Sequence, residues 1–277
     1  MMKSSITINL AAQVKTGPWI YREPLAVSLS KAATLGFDGV ELFTASSDSV
    51  HVDLLEQLLQ QCGLQLSAVG TGAGKVIHGL TLTDPDAEIR KQAVSFVKDM
   101  IVFGARLNAP SIIGSIQGHV VPGIEREQAL DWLAEALDIL GEFAQQQGVT
   151  LIFEPLNRYE TNLINHLKDG ANLIESLHTR NVALLADLFH MNIEEVSVPK
   201  SIRNYGKFIG HVHFADSNRR PAGAGHIRMQ EIAEALKEIK YEGYISAEAF
   251  PYPDPDRAAK MTIEKFNQYF KQDKIQE

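Results

Sequence analysis

VALLADLFHMNIEE occupies residues 182–195. Its first six residues are small or aliphatic up to a single acid, Asp187. An apolar run this short, bounded by turn chemistry, reads as a buried strand that delivers a carboxylate at its C-terminal end. The same pattern recurs on either side. VTLIFE (149–154) precedes it, and FIGHVHF (208–214) and YISAEAF (244–250) follow it. Towards the N-terminus stand APSIIG (109–114), LQLSAVG (64–70), FDGVEL (37–42) and ITINL (6–10). Between these runs lie PLAVSLSKAATLG, VDLLEQLLQQCG, EIRKQAVSFVKDMIVFG and EQALDWLAEALDILGEFAQQQG, in which apolar residues recur at spacings of three and four, as in amphipathic helices. Gly36, Gly63, Gly104 and Gly148 fall where a helix would end, at positions where positive φ favours glycine.

Eight strands alternating with helices predict an α/β protein with a parallel sheet, and eight units close a barrel. The expectation is a single (β/α)8 TIM barrel domain over residues 1–277. An open doubly wound sheet is the runner-up, but no GxGxxG follows the first strand. FPYPDPDR (250–257) follows the last strand and reads as a loop rather than a domain boundary.

Composition narrows the function. With 277 residues, 45% of them hydrophobic, the chain can bury one large core, and its formal charge of −8 argues against a nucleic-acid partner. The single cysteine, Cys62, cannot form an internal disulfide and reads as a packed side chain, which fits a reducing compartment. MMKSSITINLAA is too weakly basic and its apolar run too short for a signal peptide, and no apolar run approaches the roughly 20 residues needed to span a bilayer. A cytoplasmic protein with no membrane partner is expected.

The active site of such a barrel gathers at the C-terminal ends of the strands. There, four consecutive strands end in Glu154, Asp187, the pair His211 and His213, and Glu248. Alternation puts Ile152 on the face of Glu154, His211 one layer below His213, and Ser246 below Glu248. Three carboxylates beside an imidazole repel one another unless a cation sits between them. The plainer alternative is that each caps a helix or pairs with Lys or Arg, but four at equivalent places favour one divalent metal. Three oxygens and one nitrogen suit Mn2+, with Mg2+, Co2+ or Zn2+ as alternatives.

EPLNRYE (154–160), DLFHMNIEE (187–195), GHVHFADSNRRPAGAG (210–225) and GYISAE (243–248), in this order, resemble the xylose isomerase-like barrel superfamily. Within it they are most similar to the ketose 3-epimerases typified by D-tagatose 3-epimerase. The resemblance implies that Glu154, Asp187, His213 and Glu248 bind one metal, and that Glu160, His190 and Arg219 hold substrate oxygens. Each of the last three has a simpler reading: a solvated loop carboxylate, a helix cap, a surface ion pair. The implied reaction is 3-epimerisation of a ketose. One of the two catalytic glutamates, Glu154 and Glu248, removes the proton from carbon 3, the metal stabilises the enediolate, and the other returns a proton on the opposite face. An aldose–ketose isomerase on the same site, or a metal-dependent dehydratase or lyase, is the alternative. A non-catalytic sugar-binding barrel fits less well. So does an apurinic-site endonuclease, because His51, His78 and His119 do not end strands as a multi-metal cluster requires. The family also implies a sugar-metabolising isomerase that assembles as a dimer or tetramer.

The chain departs from the family where aromatic residues usually meet the substrate. ITINLAAQ and IIGSIQGHVV carry none, and Trp19 and Tyr21 in the loop after the first strand are the candidate substitutes. Lys75, His119 and Arg158 are candidate contacts for a phosphorylated sugar and equally candidate surface residues.

Overall fold

The computed structural model describes residues 1–271. In chain order its elements are β1 (Lys3–Asn9), α1 (Leu25–Leu35), β2 (Gly39–Phe43), α2 (Val52–Cys62), β3 (Gln65–Gly70), α3 (Ala73–Val76), α4 (Ala87–Ala105), β4 (Ser111–Ile113) and α5 (Arg126–Gln146). Then follow β5 (Leu151–Phe153), α6 (Leu167–Ser176), β6 (Val182–Asp187), α7 (Leu188–Glu194), α8 (Val198–Tyr205), β7 (Ile209–His213), α9 (Met229–Glu238), β8 (Tyr244–Ala247) and α10 (Pro255–Phe266). The strands form a closed barrel in sequence order, every pair parallel, and β1 meets β8 through Lys3↔Tyr244 to Ile6↔Ala247. The chain is thus a (β/α)8 TIM barrel, and each predicted strand lies where its apolar run placed it.

The strands are buried on both faces, which is why they read as near-continuous apolar runs. One core lies between barrel and helices, built from residues such as Ile6, Leu42, Phe153, Leu184 and Val212. A second, small cluster of Ala68, Ile112, Ile152 and Leu185 comes from β3 to β6. Ile152 belongs to this second cluster, on the side that alternation assigns to Glu154.

Two pairings slip register, at Val40/Glu41 between β2 and β3 and at Leu184/Leu185 between β6 and β7. In the first, Ser67 is the extra residue, and its hydroxyl donates to the Val40 carbonyl at 3.0 Å. In the second it is Gly210, where a Cβ would lie 2.8 Å from the Ala183 Cβ. Such bulges re-aim the residues that follow them on the bulged strand, here Ala68 on β3 and the His211–His213 pair on β7.

Gly36, Gly63 and Gly148 do lie just past helices with positive φ. Gly104 does not: it sits inside α4, where a Cβ would come within 2.7 Å of the Ala109 carbonyl oxygen. Close packing selects glycine there, and Asn108, φ 55°, makes the left-handed turn instead.

Candidate metal centre

Glu154 follows β5, Asp187 ends β6, His213 ends β7 and Glu248 follows β8, so four neighbouring strands aim these side chains at one point. One oxygen or nitrogen from each lies within 4.8 Å of all the others. His213 Nδ1 is at the centre, 3.3 Å from Asp187 Oδ2, 3.4 Å from Glu154 Oε1 and 3.5 Å from Glu248 Oε2. Asp187, His213 and Glu154 are buried; Glu248 is partly open to the cavity above.

The backbone around the cluster is tied down locally. Asp187 spends its other oxygen on the amides of Phe189 (2.7 Å) and His190 (3.1 Å), capping α7. That leaves Oδ2 facing the cluster. Gln117, buried after β4, donates to the carbonyls of Gly114 (3.1 Å) and Glu154 (3.0 Å) and fixes the peptide that carries Glu154. The Glu154 carboxylate packs against Gly114, where a Cβ would stand 2.6 Å from Oε2, so a larger residue would push the carboxylate aside.

Burial raises the Glu154 carboxyl to about 8 and also raises Glu248; neighbouring carboxylates add to both, against the pull of His213 and, at Glu248, Arg219. For Asp187 burial acts in the same sense, but the adjacent imidazoles and Arg219 overcome it and hold the group below the carboxylate range. The His213 imidazole is driven well above its ordinary value, since Glu41, Glu248, Asp187 and Glu154 outweigh its burial. This balance of clustered acids around one base is what a divalent cation would relieve. Glu154 Oε1 is a buried acceptor without a hydrogen-bond partner, and the donor set is three hard oxygens and an imidazole nitrogen. The residues present therefore fit a divalent ion.

The three remaining sequence candidates converge on the same place. His190 on α7 puts Nε2 3.7 Å from Asp187 and 3.8 Å from Glu154. Arg219 binds Glu160 at 3.1 Å and Glu248 through its other nitrogen, with its guanidinium 4.8 Å above the Phe189 ring. Arg219 has φ 56°. Asp216 organises its loop, accepting from the amides of Ser217, Gly223 and Ile227.

Asn157 settles the His190 tautomer. Its side-chain oxygen accepts from the Tyr159 amide at 2.9 Å, so its NH2 faces Glu160 and lies 2.6 Å from His190 Nδ1. Nδ1 must accept, and the neutral ring therefore carries its proton on Nε2, a buried atom without a partner that points into the site. Burial pushes the ring down to about 4, which keeps it neutral at ordinary pH.

A cavity of about 300 Å3 opens over the cluster, lined among others by Trp19, Phe43, Thr71, Ser115, Glu160 and Arg219. Trp19 stacks on Phe43 with ring centroids 4.4 Å apart and supplies an aromatic wall. Tyr21 does not line it; its ring is fully buried beside β1. Sequence reasoning missed Glu41, Asn157 and Gln117. For Glu41 the available signal was an acid inside the otherwise apolar stretch GVELF of β2.

Known proteins share this fold. Residues 29–269 match the family model described as xylose isomerase-like TIM barrel, and the chain belongs to that family. Within it, the chain is 32% identical over 231 residues to the D-psicose 3-epimerase of Ruminiclostridium cellulolyticum, covering 80% of this chain and 77% of that one. It is 31% identical over 227 residues to the L-ribulose 3-epimerase of a Methylomonas species, covering 80% and 77%. A solved structure of D-psicose 3-epimerase with D-tagatose from Clostridium cellulolyticum H10 superposes with a TM-score of 0.80 at 26% identity, covering 97% of this chain and 99% of that one.

Proposed function

We propose that this chain is a divalent-metal-dependent ketose 3-epimerase, an isomerase of sugar metabolism. The observation that supports this most is the convergence of Glu154, Asp187, His213 and Glu248 within 4.8 Å at the C-terminal rim of a barrel related to ketose 3-epimerases. These four residues would hold the ion. A cation there supplies Lewis-acid polarisation of the ketose carbonyl and a neighbouring hydroxyl. Manganese is the ion proposed, with magnesium, cobalt and zinc as alternatives.

Glu154 and Glu248 reach the centre from β5 and β8, on either side of the β6 and β7 ligands. One takes the proton from carbon 3, and the electrons of that C–H bond pass into the carbonyl system of the sugar as an enediolate. The other gives its own proton to carbon 3 from the opposite face, and both exchange with solvent before the next turnover. His190 Nε2–H and the Arg219 guanidinium donate to substrate oxygens, Glu160 accepts from a hydroxyl, and Trp19 covers an apolar face of the sugar.

The substrate is an unphosphorylated ketose. Arg219 is the only lysine or arginine lining the cavity among the described residues, and it is already paired with Glu160 and Glu248. Arg158 is committed to Glu194 by a two-pronged contact at 2.8 and 2.9 Å, and neither Lys75 nor His119 lines the cavity. A dianionic phosphate would meet carboxylates with no free cation. Among the described residues no helix is long and apolar enough to cross a membrane. A cytoplasmic single-domain enzyme working as a dimer or tetramer completes the proposal.

The test is turnover in heavy water with a panel of unphosphorylated ketopentoses and ketohexoses. Deuterium at carbon 3 with inverted configuration is the expected product. Label at carbon 1 or 2 with an aldose product would make the chain an aldose–ketose isomerase. Loss of water instead of exchange would make it a dehydratase.

A further inference from the structure

Glu41 is buried in mid-strand on β2, across the barrel from β6, and contributes nothing to the four-residue cluster. Its two oxygens receive two imidazoles from β7. Oε2 is 2.9 Å from His211 Nε2, and Oε1 is 3.1 Å from His213 Nε2. The same His213 ring presents its other nitrogen, Nδ1, to Asp187, Glu154 and Glu248. His213 thus stands between an acceptor on one side and the candidate metal centre on the other.

We propose that Glu41 is a positioning residue that holds the His213 Nε2–H away from the cluster and so turns an unprotonated Nδ1 towards the metal. This rests on the reading of Glu154, Asp187, His213 and Glu248 as ligands. An imidazole binds a cation through the nitrogen that lacks a proton, so a ring free to choose its tautomer spends part of its time unable to bind. A carboxylate offers acceptors, which fixes the proton on Nε2. His211 holds the second oxygen, so the carboxylate plane cannot rotate. Glu41, His211 and His213 also have the composition of a second metal site. Their separations of 2.9 and 3.1 Å are hydrogen-bond lengths, and a cation there would have to displace the protons that make those bonds.

The experiment titrates chelator-treated protein with Mn2+ and follows free ion by electron paramagnetic resonance. Glu41→Gln, whose amide cannot accept from both rings, should bind one ion with a Kd about 10- to 100-fold weaker than wild type, the usual loss when such an outer partner goes. Equal affinity in wild type and variant overturns the proposal while leaving the metal centre intact. Failure of the wild type to bind any ion overturns the metal centre itself. Two ions per wild-type chain, one of them lost in Glu41→Gln, would make Glu41 a ligand instead. Should the variant not fold, wild-type protein labelled with 15N-histidine and loaded with Mg2+ answers the question directly. His213 should show a proton on Nε2 and none on Nδ1, and the reverse pattern overturns the proposal.

Discussion

Replacing Asn157 with leucine removes the amide that fixes the His190 tautomer while keeping the branched heavy-atom skeleton of the side chain. In the wild type that amide lies 2.6 Å from His190 Nδ1, an atom otherwise served only by the Asn157 backbone N–H at 3.3 Å. Both residues are 1% exposed, so no water restores the bond. Leaving a buried acceptor poorly satisfied costs about 1–3 kcal/mol. The lost bond also lets the ring populate the tautomer in which Nε2 carries no proton and cannot donate to a substrate oxygen. If that donation acts at the transition state, kcat/KM should fall on the order of 10- to 100-fold, each tenfold being about 1.4 kcal/mol. Steady-state kinetics with the ketose found by deuterium exchange, together with urea denaturation, measure both effects. A folded variant whose kcat/KM stays within about twofold of wild type would refute the tautomer reasoning.

Gly114→Ala places a methyl where Glu154 Oε2 now lies, so the carboxylate must move; Mn2+ affinity should weaken about tenfold or more while overpacking costs about 1–3 kcal/mol of stability, and unchanged affinity would show that Glu154 is not held in place there. Addition of a divalent ion at 100 times its Kd should stabilise the chelated protein by about 2.7 kcal/mol and raise Tm by roughly 5 °C, measured by scanning calorimetry; no rise would argue against a folded-state site. Glu194 carries a folded-state pKa lowered despite its burial, through its bonds to Arg158. The unfolded chain therefore takes up its proton first, so this stability is present above the unfolded pKa of about 4.3 and is lost as pH falls through the folded value. Glu194→Gln should flatten the acid limb of a stability–pH curve below about pH 5, and an unaltered slope would show that the pair contributes no such linkage.

The barrel was legible because its strands are buried on both faces, so short apolar runs such as VALLAD and LIF stand out between amphipathic helices. The ligand candidates were legible for a related reason: ionisable residues close apolar runs on consecutive strands, which capping or ion pairing explains singly but not together. Glu41 escaped because attention to strand ends discounts a charge in the middle of one, although GVELF poses the same burial problem. Asn157 and Gln117 left no trace, since neutral amides are ordinary in loops and only the partners they reach reveal their work. Gly104 misled because a glycine near a helix end is compatible with two demands, positive φ and close approach. Only the position of the Ala109 carbonyl shows which one applies. Trp19 and Tyr21 looked equivalent in the loop after β1, and the fold separates them, one facing the cavity and the other sealed beneath it.

The central claim is that side chains from the last four strands jointly grip a single ion. Its most direct test is calorimetric titration of chelator-treated wild type and the Asp187→Asn, Glu248→Gln double variant with Mn2+. One ion per wild-type chain and no measurable binding in a folded double variant is the expected result; equal stoichiometry and affinity in both proteins would contradict it.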